Sequence, residues 1–467
     1  MSHSARFTDY RAVLTTPGAL PPVVTALLAR LPIAMVGLSL LLYVQRQTGS
    51  FAVAGLVSAG VLAGVATGSV AQGRLMDRLG PTRPLLVTSS LFTVAVTAGM
   101  LAIESRAPDG VLVALAFGIG LSQPTVSSAS RALWTRLLPP GSTRQAAYAY
   151  EAISLEVCFI LGPALAGVLI ALPWPGTGVV IGSACMVAGG IGFALAPVVR
   201  RQAPAKATTE RAPAEGSESR WQGPDGQTAA DRDAGPAGEI STRAEPPTSR
   251  GGRLLGALVS PGMRTVVLAV LGFGVTIGFI EVAVPAAATR AGHAPAGGLM
   301  LALWSLGSVI FGIAYAARPW PREMRLRQPV LLGAFALLVA PLAIPTSLLG
   351  LGALLLVPGL LITPQATTHS AVLELIAPRG TTTEAFGWVI TAATFGLALG
   401  QSASGWLVEH VGIRSAFLAS SAAGLLIAAL VWARRKTVRL ESSLSGQGSG
   451  ADQPAHIGDD DRLRPVA

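Results

Sequence analysis

Gly73-Arg74-Leu75-Met76-Asp77-Arg78-Leu79-Gly80-Pro81-Thr82-Arg83 is short, charged and bounded by glycines, and it sits between two long apolar runs. It reads as a tight turn at a membrane surface. An Asp near a helix N-terminus is favoured by the macrodipole, and flanking arginines can bridge to it. Gly73 and Gly80 permit close approach and positive φ. The competing reading is a generic basic turn.

Working outward, the composition fits that setting. Of 467 residues, 51% are hydrophobic and 12% charged. Soluble proteins carry about a quarter charged residues, so the class is a polytopic α-helical membrane protein. The apolar runs are too long for barrel strands, which need about 10 residues of alternating pattern. The net charge of +10 comes mostly from Arg between apolar runs, which reads as topology and not as a nucleic-acid surface. Cys158 and Cys185 both fall inside apolar runs, so neither a disulfide framework nor a metal site is expected. The first apolar run follows a mixed N-terminal stretch and lacks a small-residue cleavage site, so it reads as a first span.

Twelve apolar segments are expected, at 19–43, 51–72, 84–103, 110–133, 147–171, 178–199, 263–288, 297–317, 329–346, 348–375, 383–407 and 413–433. Each is near the roughly 20 residues that a bilayer core requires. The expected organisation is an N-terminal segment 1–18, a six-helix bundle 19–199, a linker 200–253, a second bundle 254–433 and a tail 434–467. The linker and tail are rich in Ala, Pro, Gly, Ser and charged residues and are expected to be disordered. With the N-terminus inside, the short inner loops hold eleven arginines, among them Arg74, Arg78, Arg83, Arg131, Arg136 and Arg379. The outer loops hold four, at Arg46, Arg106, Arg290 and Arg414. That bias places both termini and the linker in the cytoplasm.

The chain also repeats. Pro124 and Pro364 differ by 240 positions, Gly141 and Gly380 by 239, Gly162 and Gly400 by 238, and Gly167 and Gly405 by 238. A near-constant offset across two helices and a loop argues for duplication with both halves in one orientation.

The pattern Gly-x-x-x-Asp-Arg-x-Gly-x-x-Arg, carried here by Gly73, Asp77, Arg78, Gly80 and Arg83, resembles the signature loop between the second and third helices of the major facilitator superfamily. The resemblance covers all twelve spans. It implies an all-α fold of two pseudo-symmetric six-helix bundles, with a substrate site between the halves near the midplane. It also implies that this loop ties the halves together on the cytoplasmic side, its Asp capping a helix end. Arg30-Leu31-Pro32, Thr48-Gly49-Ser50, Glu156 with Gly162-Pro163-Ala164-Leu165-Ala166-Gly167, and Glu281-Val282-Ala283-Val284-Pro285-Ala286 look like bacterial efflux carriers of the actinobacterial kind. Gly162-Pro163 is similar to the span 5 antiporter motif, with Ala166-Gly167 in place of its paired glycines. Ordinary close helix packing is the competing reading there. The chain departs from proton-coupled exporters in having no Arg in span 4 before Arg131. Arg318-Pro319-Trp320-Pro321-Arg322, the second-half counterpart of the signature loop, lacks its Asp.

Charges inside spans are costly and face a cavity or a partner. Arg30 lies roughly 16 Å into span 1 and Glu156 roughly 13 Å into span 5 at 1.5 Å per residue. They are expected to meet, either as a coupling pair or as a static one. Glu281 is the other candidate proton carrier, against a position in a wet outer vestibule. Glu151 is expected nearer the inner surface and solvated. Gln123 and Gln365 sit beside the repeated prolines and are candidates to bind a polar substrate group, against helix-to-helix hydrogen bonding. His369 is a candidate proton shuttle. Trp304 is a candidate stacking surface, against an interfacial anchor.

No Gly-x-x-x-x-Gly-Lys phosphate loop occurs, so ATP-driven transport by this chain is not expected. The sequence therefore predicts a non-enzymatic carrier without cofactor, driven by the proton gradient, in the cell inner membrane. Its partners are the bilayer, protons and a small-molecule substrate, and it is expected to be a monomer. Export of a small, largely apolar compound is the leading expectation, its direction implied by the resemblance to efflux carriers and not by the residues themselves. Proton-coupled uptake or sugar efflux, and a non-transporting membrane sensor or scaffold, are the alternatives.

Overall fold

A computed structural model describes residues 12–13, 15–139, 142–201, 258, 260–316, 324–376 and 382–438. Most of the expected N-terminal segment, linker and tail lies outside these residues. So do Gly141, Gly380, Arg379 and the stretch from Arg318 to Arg322.

The first half runs α1 (Leu20–Thr48), α2 (Phe51–Leu79), α3 (Thr82–Glu104), α4 (Asp109–Ser122, resuming at Val126–Leu137), α5 (Ser142–Leu169) and α6 (Thr177–Leu195). The second runs α7 (Pro261–Arg290), α8 (Ala294–Ala316), α9 (Met324–Val339), α10 (Leu348–Gly359, resuming at Ile362–Ile376), α11 (Thr382–His410) and α12 (Ile413–Ala433). Among the described residues, eleven helices are long and apolar enough to cross a membrane. The twelfth long helix, α11, packs between α7 and α2. Large apolar side chains that face outward along the spans, such as Val94, Leu101, Ile310 and Leu426, fit a lipid-facing surface.

The breaks follow proline chemistry. Leu31, ahead of Pro32, interrupts α1 for one residue, keeping helical dihedrals (φ −50°, ψ −42°) and an N–H that still reaches Leu27 O. Gln123, ahead of Pro124, is driven out of the helical region to φ −58°, ψ 121°, and α4 stops there. The sequence reading runs span 4 straight through this point.

The signature stretch also differs from expectation. Residues Gly73–Leu79 are not a turn; they complete the last turns of α2. One glycine costs a helix only about 1 kcal/mol relative to Ala. Met76 offsets that by burying itself with Leu85, Ala129 and Leu133. The turn is confined to Gly80-Pro81, where Gly80 takes φ 75°. Asp77 therefore sits near the C-terminal end of α2 and does not cap that helix's own N-terminus; its side chain lies outside the described residues.

α7 is the central helix. Phe279, Ile280, Val282, Ala283 and Val284 are all buried, so it presents no solvent or lipid stripe over that run. The first half packs α1 on α5 and α6, and α2 on α4. The second packs α7 on α11 and α12, and α9 on α12. The halves meet along two seams, α2 against α11 and α5 against α8.

Candidate substrate pathway and coupling residues

The seams are built from glycine against backbone. A Cβ at Gly167 of α5 would lie 2.6 Å from Pro295 O of α8, and one at Gly55 of α2 would lie 2.5 Å from Gln401 O of α11. The glycines paired by sequence offset play matched parts. Gly162 packs on α1 (Met35 N, 3.0 Å from an added Cβ), and its counterpart Gly400 packs on α7 (Gly278 Cα, 3.0 Å). Gly167 crosses to α8, and its counterpart Gly405 crosses to Phe51 O of α2. Exchanging the two halves thus maps each contact onto its partner. Pro163 joins the set: its carbonyl lies against Gly298 of α8, as that of Gln401, 238 positions on, lies against Gly55.

These contacts all lie on the side where α2 begins and α11 ends, the far side from the chain's termini. A cross-seam contact adds to them there. The Glu409 carboxylate at the end of α11 accepts from Ala52 N–H at 2.8 Å and from Ser50 Oγ at 2.5 Å, at the start of α2. Burial then declines along the facing stripes. On α5 it falls from Gly167 and Pro163, buried, through Ile160 to Glu156, exposed. On α11 it falls from Gly405, Gln401 and Ala398 through Thr394 to Gly387. The halves are closed on the far side and diverge toward the terminal side.

The expected Arg30–Glu156 pair does not form. Arg30 is 2% exposed, and its Nη2 donates to Glu151 Oε1 at 2.8 Å. Its Nη1 donates to Ser154 Oγ at 3.0 Å and its Nε to Ser127 Oγ at 3.3 Å. Glu151, expected to be solvated, is 3% exposed and also accepts from Trp134 Nε1 at 3.0 Å and from Ser130 Oγ. The exposed Arg131 stands 3.5 Å from its Oε2. The physical reason is helical phase. Glu151 and Ser154 share the face of α5 that meets α1 and α4. Glu156 shares a stripe with Pro163 and Gly167, the one that meets α8. Among the described residues Glu156 has no hydrogen bond or salt bridge and faces the opening between the halves.

Gln72, one residue before the signature stretch, holds the broken α4. Its Nε2 donates to Leu121 O (3.1 Å) and Gln123 O (2.9 Å), and its Oε1 accepts from Thr125 N–H and Oγ1, both 3.2 Å. Those are groups the break leaves without intrahelical partners. Gln123 thus enters this network through its backbone.

Span 10 carries the second-half polar centre, as span 4 carries part of the first. His369 is buried between Gln328 Nε2 at 2.9 Å from Nδ1 and Gln365 Nε2 at 3.1 Å from Nε2, with Phe273 alongside at 5.7 Å between ring centroids. A neutral imidazole has one donor and one acceptor, so one amide must present its oxygen to the ring and the other its N–H. Trp304 packs against Gly359 of α10 and is buried, with its Nε1 unpartnered. It is a packing residue here, not an interfacial anchor.

Glu281 is half-buried in α7 and accepts from Gln401 Nε2 of α11 at 2.7 Å. Among the described residues no salt bridge reaches it. Gln401 is 8% exposed and its Oε1 is buried without a partner. At the far end of α1, α5, α7 and α8, a cavity of about 450 Å³ is lined by Arg46, Gln45, Thr289 and Pro295.

Sequence reasoning missed Gln72, Gln328, Gln401, Ser127, Ser130, Ser154, Trp134 and Glu409. Several are polar side chains inside apolar spans, a signal as good as the one used for Gln123.

Two packed helical bundles related by exchange of halves, closed at one end and parted at the other, define the architecture of the chain as an all-α, multi-pass membrane fold. The Major Facilitator Superfamily model matches residues 23–374, and the chain belongs to that family. A curated relative, an uncharacterized MFS-type transporter y4rN of Sinorhizobium fredii (strain NBRC 101917 / NGR234), is 32% identical over 167 residues. That match covers 35% of this chain and 40% of the relative. Among solved structures, a bacterial homologue of the human lysosomal transporter Spinster, inward-facing and unoccupied, superposes with a TM-score of 0.61 at 12% identity, covering 93% of this chain and 98% of that one. A point mutant of the nucleoside transporter NupG gives 0.63 at 12% identity, covering 89% and 99%. A bacterial homologue of the iron transporter ferroportin, inward-facing, gives 0.61 at 14% identity, covering 92% and 99%. At these identities the likeness is one of fold.

Proposed function

We propose that this carrier exports small, largely apolar organic compounds across the cell inner membrane in exchange for protons. With both termini in the cytoplasm, as the arginine bias argues, the diverging side faces the cytoplasm and loads from there. The observation that carries proton coupling is the environment of Glu281. Arg30 neutralises Glu151 in a buried ion pair, whereas Glu281 has an amide for its partner and, among the described residues, no cation. A carboxyl so placed exchanges a proton at low electrostatic cost to its surroundings. Among the described residues Glu156 is a carboxylate facing the opening, placed to meet substrate or protons on the cytoplasmic side.

The test is accumulation of a panel of lipophilic dyes and antibiotics in efflux-deficient cells, with and without a protonophore. Lower accumulation that returns to control when the proton gradient collapses supports the reading, and Glu281→Gln is expected to abolish it. Higher accumulation, or none changed for any compound with the protein in the membrane, counts against export.

A further inference from the structure

We propose that Gln401 links the protonation of Glu281 to closure of the α2–α11 seam. The inference rests on Glu281 being the coupling carboxyl. Gln401 touches both parts of the machine. Its side-chain Nε2 donates to Glu281 Oε2 at 2.7 Å. Its backbone carbonyl is the surface against which Gly55 of the other half packs, 2.5 Å from where a Cβ would stand.

The amide suits both protonation states. With Glu281 ionised, the 2.7 Å hydrogen bond from Gln401 Nε2 stabilises the negative oxygen. With Glu281 protonated by a proton from water, its O–H becomes a donor and needs an acceptor. Gln401 Oε1 is buried and unpartnered, so a half-turn of the amide supplies that acceptor without a new residue. The neighbouring backbone has little freedom to absorb the turn elsewhere. Ser404 Oγ donates to Phe279 O at 2.9 Å, and Gly278 of α7 lies against Leu397 O and Gln401 N. The same residue whose amide answers the Glu281 proton thus carries, through its backbone carbonyl, the contact with α2.

Along the spans packed against α7, the charged residues and histidines fall at helix ends or have other partners among the described residues. Glu409 and His410 end α11, Arg414 begins α12, and Arg46 ends α1, while Arg30 is held by Glu151. Arg74, Asp77 and Arg78 end α2, Arg325 and Arg327 begin α9, Glu374 ends α10, and Glu384 begins α11. His369 lies between its glutamines beside Phe273, and α8 has no charged residue between Ala294 and Ala316. On α7 itself Arg264 and Arg290 lie at the two ends.

The experiment is an infrared titration of the protonated-carboxyl band in the purified full chain, with Glu281 assigned by subtracting the Glu281→Gln spectrum. Gln401→Leu removes a donor to the charged form, so the Glu281 midpoint is expected to rise by about one to two pH units. Gln401→Glu, isosteric and gentler to packing, is expected to raise it too, because a second carboxyl disfavours ionisation. Coupling between sites is reciprocal. Gly55→Ala, which strains the seam, is therefore expected to move the midpoint in the wild-type background and to lose that effect in Gln401→Leu. An unmoved midpoint in both Gln401 variants overturns the inference. So does a Gly55→Ala shift that is nil, or equal in the two backgrounds. If Glu281→Gln removes no titrating band at all, it is the coupling role of Glu281 that fails.

Discussion

Gly55→Ala separates a contact that must open from one that must not. The added Cβ would stand 2.5 Å from Gln401 O, about 0.9 Å short of ordinary contact at 3.4 Å. Overpacking of this kind costs about 1–3 kcal/mol. Because Gly55 and Gln401 belong to different halves, parting the halves on the far side relieves the clash without unfolding either. The cost is therefore expected to appear as a shift of about 5- to 150-fold toward the conformation open on that side. Gly274→Ala is the matched control. Its Cβ would meet Ala393 O at the same 2.5 Å, but both residues lie in the second half, so no rocking motion relieves it. It should lower the melting temperature and leave the conformational distribution alone. Gly118→Ala, whose Cβ meets nothing within 4 Å, should do neither. Electron–electron resonance between spin labels at the exposed Thr48 and His410, with Cys158 and Cys185 replaced by Ser, reads the far-side separation. Equal distance distributions for Gly55→Ala and Gly118→Ala would refute the reasoning.

Glu151→Gln leaves Arg30 buried beside a neutral partner and is expected to destabilise the first half by about 3–5 kcal/mol, whereas Arg30→Met with Glu151→Met should recover most of that loss; thermal unfolding in detergent checks both. Glu409→Gln removes the charge that α2 receives at its N-terminus across the seam, an effect of about 0.3–1 kcal/mol, so the same spin-label pair should show about a two- to fivefold shift toward far-side opening. Gln72→Leu strips Leu121 O, Gln123 O and the Thr125 N–H of their partner at an expected cost of about 1–3 kcal/mol; faster hydrogen exchange at Thr125 than at the α5 amides would report it.

The fold was legible because bilayer-length apolar runs and a repeat offset are one-dimensional signals. The sequence places span 12 at 413–433, the bounds the helix takes, and of the repeated glycines Gly167 and Gly405 fall at the seams. Partner choice was less legible. Depth alone matches Arg30 with Glu156, but depth fixes only the coordinate along a helix. Five residues along α5, the difference between Glu151 and Glu156, rotate the side chain by about 500° at 100° per residue, which is 140° after a full turn. That places the two carboxyls on different faces, one toward α1 and one toward α8. Gly73 misleads for a related reason. A glycine reads as a break in isolation, and only the burial of Met76 in three dimensions shows that the helix continues past it.

The exchange of glycine contacts has a consequence for ancestry. Gly167 meeting α8 and Gly405 meeting α2 are one contact made twice across a two-fold axis between the halves. A single six-span polypeptide carrying one such glycine would present a self-complementary face, and two copies would satisfy both seams at once as an isologous dimer. In that view the segment joining the halves adds effective concentration to an association the surfaces already specify. Splitting the chain between its halves and co-expressing the two pieces should then yield a complex that reassembles without a covalent tie.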